Sequence, residues 1–387
     1  MYFLPESLYI HYPFCRKACN YCGFHFSTNL RPQKDLILAI VREIKLIQSY
    51  SLLRGPARLR TLYFGGGTPS VMDYKNFHFL LEELNKIYCF NDLEEFTIEV
   101  NPEDVSAKSL DFWSSLGVNR ISLGVQSFNS IFLREMNRNH SLETTFYALD
   151  VLKNDHRFKL SLDLIYGFPN QTFDQFCLDL NYIFNYKPHH FSAYQLTIEP
   201  GTALDYQVKN KTVTLLNEDL VADMMQYLYS ISSTNGYHSY ELSNFSLDDN
   251  VSKHNSFYWT SSAYLGLGPS AHSFDGKYLR FKNVSNNIKY IECVNEGKLP
   301  RELEWLTPKD RFNEFIMLGL RQSSGIDLNR LKCDFDSSLS SNLLFKMKQL
   351  NSNWFVHDNF DLNNRFIILS HSGRTMADYI SAYLFID

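Results

Sequence analysis

From Leu8 to about Glu241, short β-rich runs alternate with longer segments of helical period. This rhythm constrains the chain more than any other feature. A strand that reaches its neighbour only through a helix-length connection pairs in parallel, and the repeated unit builds a sheet with helices against its faces. The pattern predicts an α/β fold with strands over 8–12, 61–64, 96–100, 120–124, 160–166, 191–197 and 237–241. In the first crossover Leu36, Ile37, Ile40, Val41, Ile44 and Ile47 share one helical face, with Lys34, Asp35, Arg42, Glu43 and Lys45 expected off it. The later strands end in polar or glycine-rich turns: Gly65-Gly66-Gly67-Thr68-Pro69, Asn101-Pro102, Gln126-Ser127 and Gly167-Phe168-Pro169. Such turns gather at the carboxyl ends of parallel strands, where barrels and open sheets place their ligands.

After Ser243 the rhythm gives way to a loop-rich aromatic segment and then, from about Leu306, to a compact helical-looking region. The expected divisions are residues 1–242, 243–300 and 301–387. The 37 Lys and Arg against 42 Asp and Glu leave a net charge of −5 without a basic block, so no nucleic-acid partner is expected. The first 14 residues lack the basic start and unbroken apolar run of a secretory signal. The longest uncharged stretch, between Lys253 and Asp275, is too polar to span a bilayer. A cytoplasmic protein without a transmembrane segment is the expectation, and there free thiols persist.

Seven cysteines are an odd number, and three of them, Cys15, Cys19 and Cys22, fall on one loop just after the first strand in the spacing C-x3-C-x2-C. An iron-sulfur cube suits three thiolates on one short loop, because each can take a different iron and one iron stays open to a small molecule. Structural zinc, with His25 as a fourth ligand, is the alternative. Cys89, Cys177, Cys293 and Cys333 read as small buried residues. The three glycines of the first turn let backbone groups approach a ligand, or simply form a tight βα turn. Glu99 and Asp163 place carboxylates inside predicted strands, and alternation puts Asp163 on the face opposite Leu162 and Leu164, toward a barrel lumen. An internal ion pair with Arg120 or Arg138 would be the purely structural explanation.

Together these pieces resemble the radical S-adenosylmethionine (SAM) superfamily over nearly the whole chain. Within it they resemble the coproporphyrinogen dehydrogenase group, through LYIHYPFC at 8–15, FGGGTPS at 64–70, NRISLGVQSF at 119–128 and DLIYG at 163–167. The resemblance implies a partial (β/α)6 barrel with a mainly helical C-terminal domain over its open side. It implies that Cys15, Cys19 and Cys22 hold a 4Fe-4S cluster whose fourth iron is chelated by the amino and carboxylate groups of S-adenosylmethionine. By the same resemblance Gly66, Gly67 and Thr68 line the methionine end and Glu99 takes the ribose hydroxyls. Tyr9, Tyr21, Gln126, Arg138 and Asp163 match positions that contact the nucleoside, some of them through a second S-adenosylmethionine. In the family's reaction, reduction of the sulfonium releases a 5′-deoxyadenosyl radical that takes hydrogen from substrate.

Two branches of the group differ at a few positions. The oxygen-independent coproporphyrinogen III oxidases carry a further cysteine two places after the third ligand, where this chain has Phe24. The heme-chaperone branch is similar in having C-x3-C-x2-C-x-F and an HNxxYW box, here His254-Asn255-Ser256-Phe257-Tyr258-Trp259. The expected function is therefore to bind heme and pass it to an acceptor hemoprotein, with the oxidase as the alternative and no coproporphyrinogen oxidase activity expected. In the box an imidazole could ligate heme iron and Tyr258 and Trp259 could cover a porphyrin face, or His254 could be a hydrogen-bonded structural residue. His272 is a second candidate ligand, and a homodimer covering the cluster loop is a further expectation.

Overall fold

The computed structural model describes residues 5–50, 56–356 and 365–386. Nine strands form the main sheet: β1 (Ser7–Tyr12), β2 (Thr61–Gly66), β3 (Glu95–Val100), β4 (Arg120–Gln126), β5 (Lys159–Tyr166), β6 (His190–Gln195), β7 (Tyr237–Ser239), β8 (Asn244–Leu247) and β9 (Leu265–Leu267). Their order is β9-β1-β2-β3-β4-β5-β6-β8-β7. Every pair from β9 to β6 is parallel, while β8 runs antiparallel to both β6 and β7. Helices Gln33–Ser49, Tyr74–Asn85, Ala107–Ser115, Leu142–Lys153 and Phe173–Tyr186 fill the crossovers. This is the α/β partial barrel expected: the six expected parallel strands, with β9 as a seventh, and no pairing between the two edge strands among the described residues.

The seventh expected strand needs correcting. It is shorter than 237–241, and it does not continue the parallel series, because only four residues separate Ser239 from Asn244 and a connection of that length makes a hairpin. The aromatic segment does not stand apart from the barrel either, since β8 and β9 add strands toward its two edges. Two further strands of that segment, His272–Phe274 and Leu279–Asn283, join Arg301–Trp305 of the following division in an antiparallel sheet.

One apolar core runs through the barrel from Leu8 to Val294. A second, from Leu242 to Leu384, is built mainly from the helices Pro308–Arg321, Leu328–Asp334, Ser337–Met347 and Ala377–Leu384. Glu43, expected on the outer face of the first helix, is fully buried. That helix packs against the sheet on one side and the helix Asn287–Asn295 on another, so its outer face is covered as well. There Glu43 accepts from the Gly268 amide (3.0 Å), Asn283 Nδ2 (2.8 Å) and the Tyr290 hydroxyl, with Arg301 at 3.4 Å.

Candidate functional site

The loop after β1 is pinned from several sides. Cys15 N donates to Ser27 O at 3.0 Å and Asn20 N to Met136 O at 3.0 Å; Asn137 Nδ2 reaches Ala18 O at 2.7 Å. The glycine turn after β2 presses against it, with Gly67 N donating to Tyr12 O (2.9 Å) and Thr68 N to Phe14 O (2.8 Å). A Cβ on Gly67 would meet the Pro13–Phe14 backbone at 2.7–2.8 Å, and one on Gly66, at φ +107°, would strike the His11 ring at 2.5 Å. At these two positions glycine is required by the approach of turn to loop, whatever ligand lies above.

Loop and turn open onto a cavity of about 500 Å³ at the carboxyl ends of the strands. Among the predicted residues Cys15, Cys19, Cys22, Tyr21, Gly66, Gly67, Thr68, Glu99, Gln126, Arg138 and Asp163 all line it. Thr68 Oγ1 donates to Cys15 Sγ at 3.4 Å and Arg138 Nη1 to Cys19 Sγ at 3.3 Å. The other Arg138 arm is held by Asn101 Oδ1 (2.8 Å) and Gly124 O (3.0 Å). Burial pushes the Cys22 thiol up to about 11 and raises that of Cys15, so metal uptake has to displace protons from both.

Donor chemistry and placement fit an iron-sulfur cluster: three half-buried thiols on one loop, with a hydroxyl and a guanidinium aimed at two of the sulfurs. They do not fit the zinc alternative. Among the described residues no three His, Cys, Asp or Glu side chains converge on a single ion, and His25 Nε2 is 2.7 Å from Asn287 Oδ1 instead. The remaining cysteines also depart from expectation. Cys89, Cys177 and Cys293 are only partly covered and Cys333 is exposed, and none of the four belongs to an apolar core.

Glu99 accepts from the Tyr63 hydroxyl (2.9 Å) and the Gly66 amide (3.1 Å); burial, with a smaller effect from Asp163, pushes its carboxyl up to about 7. Asp163 is not ion-paired with Arg120 or Arg138 but accepts from Ser122 Oγ at 2.9 and 3.2 Å. Burial raises it too. At the end of β4 the ladder with β5 slips between Leu123 and Gln126, and Gln126 takes φ +67°. A non-glycine residue in that region is strained, here at a side chain that lines the cavity.

Tyr9 does not line the cavity. It lies behind Tyr63, ring centroids 5.9 Å apart, and its hydroxyl meets His11 Nδ1 at 3.1 Å. Sequence reasoning overlooked Tyr63, Asn101, Ser122, Ser192, Tyr194 and Asn255 as lining residues and read Arg120 only as a partner for Asp163. The alternation used for Asp163 carries the signal for most of them, since 120, 122 and 126 on β4 and 192 and 194 on β6 share its inward side.

The HNxxYW box forms the helix Lys253–Trp259, which plugs the amino-terminal end of the barrel. Glu95 caps it, accepting from Lys253 N (2.9 Å), His254 N (2.9 Å) and Ser252 Oγ (3.2 Å). His254 is fully buried, with Nδ1 3.0 Å from Thr61 Oγ1 and 3.3 Å from Ser7 Oγ, and Nε2 2.8 Å from the Tyr258 hydroxyl. Both ring nitrogens are thus engaged by protein, and burial pushes the imidazole down to about 3, keeping it neutral. The expectation of His254 as an iron ligand is corrected accordingly. Tyr258, half-buried, stands at right angles to the rings of His254 and Tyr264, and Trp259 is half-buried with Arg321 over its ring. His272 is exposed, with no side-chain hydrogen bond among the described residues.

Comparison with known proteins agrees with the fold. The Radical SAM superfamily model matches residues 9–183 and the HemN C-terminal domain model residues 306–353. The heme chaperone HemW of Lactococcus lactis is 34% identical over 86% of this chain and 86% of its own length. That of Bacillus subtilis is 30% identical over 97% of this chain and 98% of its own. The mitochondrial radical S-adenosyl methionine domain-containing protein 1 of Mus musculus is 34% identical over 83% and 76%. In structure, the Escherichia coli coproporphyrinogen III oxidase HemN superposes with a TM-score of 0.81 over 99% of this chain and 90% of its own, at 24% identity, a likeness of fold. With relatives of this identity along nearly the whole chain, the protein belongs to the radical SAM superfamily, as a HemN-like member of the HemW family.

Proposed function

We propose that the protein binds heme and delivers it to an acceptor hemoprotein, holding a 4Fe-4S cluster on Cys15, Cys19 and Cys22 and S-adenosylmethionine beside it. The observation that carries this reading is that relatives at 30–34% identity along most of the chain are heme chaperones. When bound, the cluster supplies electrons to a sulfonium; the chain's own residues position and shield. Gly66, Gly67 and Thr68 would face the methionine end, Glu99 the ribose hydroxyls, and Tyr21, Gln126, Arg138 and Asp163 the nucleoside, all of them lining one cavity. Phe24, 73% exposed beside the third cysteine, stands where the oxidases carry a cysteine, which favours the chaperone over the oxidase.

For the heme iron the reading moves from His254 to His272. That imidazole is largely exposed, and its partial burial, with the nearby Lys282 and Arg280 charges, lowers it below the ordinary histidine value, which leaves a ring nitrogen free to ligate. Anaerobic reconstitution, heme titration and transfer to an apo-hemoprotein, followed by incubation with coproporphyrinogen III, reductant and S-adenosylmethionine, test the reading on one sample. A Soret band that passes to the acceptor is the expected result. Catalytic formation of protoporphyrinogen IX, or no Soret band, would overturn it.

A further inference from the structure

The cavity has an unused end. Arg120, the first residue of β4, lines it while only 3% exposed. Among the described residues its guanidinium has neither a hydrogen bond nor an ion pair. The carboxylates that share the lumen are committed elsewhere, Asp163 to Ser122 and Glu99 to Tyr63 and Gly66. Asn255, in the helix that plugs the barrel, lines the same cavity, and its side-chain amide is likewise without a partner among the described residues. Ser192 and Tyr194 line it from β6.

A guanidinium taken out of water is costly unless an anion meets it, and its planar fork matches a carboxylate with two parallel hydrogen bonds. Arg138, the other cation of the cavity, is held by Cys19, Asn101 and Gly124 near the cluster loop. The cavity thus carries two cationic ends, one engaged and one waiting. Its lower end is a built site, a buried charge and an amide on two different elements facing one space.

We propose that Arg120 and Asn255 form a carboxylate-binding subsite at the floor of the cavity, which receives the anionic end of a small-molecule ligand. The proposal deepens the cofactor-and-cargo reading above and rests on it. Two ligands of that reading carry the chemistry, a second S-adenosylmethionine, whose amino-acid carboxylate is not taken by the open iron of the cluster, and heme through its propionates.

The test uses the full chain reconstituted anaerobically with its cluster. Affinities for S-adenosylmethionine, decarboxylated S-adenosylmethionine, heme and heme dimethyl ester are measured by equilibrium dialysis for wild type, Arg120→Gln, Arg120→Lys and Asn255→Ala. The expected result is that Arg120→Gln weakens one of the two carboxylated ligands about 10- to 100-fold and leaves its carboxylate-free analogue unchanged, with partial recovery in Arg120→Lys. The ligand that responds identifies the source. Asn255→Ala, which keeps the charge, is expected to weaken the same ligand several-fold and decides the matter if Arg120→Gln does not fold. The subsite is overturned if neither carboxylated ligand responds, or if each falls together with its analogue. A wild type that binds no heme refutes the heme-carrier reading, and the S-adenosylmethionine arm then decides the subsite alone.

Discussion

Nε2 of His254 stands 2.8 Å from the hydroxyl of Tyr258, four residues along the same short helix, and its Nδ1 stands 3.0 Å from Thr61 Oγ1 on β2. The pair closes the amino-terminal end of the barrel. His254→Ala strips buried hydroxyls of a partner and opens a void, and is expected to lower unfolding free energy by about 2–3 kcal/mol in urea titrations. Heme affinity, followed by the Soret band, should change less than about twofold. His272→Ala should do the reverse, costing less than about 0.5 kcal/mol of stability and about tenfold or more in heme affinity. Loss of heme from the His254 variant alone, at full stability, would return the iron to the box.

Cys19→Ser is expected to abolish cluster assembly, because an alcohol is a hard, poor ligand for iron that prefers sulfide and thiolate. Iron and acid-labile sulfide after anaerobic reconstitution give the measure. Stoichiometric retention of both would contradict the ligand assignment.

In the protein without cofactors Glu99 imposes a pH dependence. Its carboxyl is raised from 4.5 to about 7, so the native state holds that proton more tightly than the unfolded chain. Stability from this group is complete below the ordinary carboxylate value and is lost as pH rises toward about 7, by about 1–3 kcal/mol. Urea midpoints at pH 5 and pH 8 should differ less in Glu99→Gln than in wild type. An unchanged difference would mean that the carboxylate is solvated after all.

Glu43 ties the first helix to the segment from Gly268 to Arg301. Glu43→Leu leaves the Arg301 side chain, 3% exposed, beside an apolar neighbour, and should cost about 3–5 kcal/mol by chemical denaturation. Glu43→Gln, which can still accept from Gly268 and Asn283, should lose less. Equal losses would show that the charge plays no part.

The six parallel strands and the three cysteines were legible because each rests on local spacing: period-two runs, glycine turns, a C-x3-C-x2-C loop. Asp163 was read as facing a lumen because its own strand alternates. What stayed hidden depends on partners remote in sequence. The burial of His254 follows from Ser7 and Thr61, and that of Glu43 from Asn283 and Tyr290, pairings that no local window contains. Tyr9 was placed by the resemblance alone, and a matched position does not tell that the Tyr63 ring stands between it and the cavity.

The neighbours of β1 also carry a consequence for synthesis. On one side it pairs with β2, and on the other Leu8 faces Leu265 in β9. A ribosome therefore produces the first strand long before its outer partner, and through that interval β1 keeps one row of amides and carbonyls open to any extended chain nearby. Once Leu267 has emerged the exposed border becomes β9, only three residues long and a poor template for further pairing. Nascent chains halted before that point are the ones expected to stick to one another.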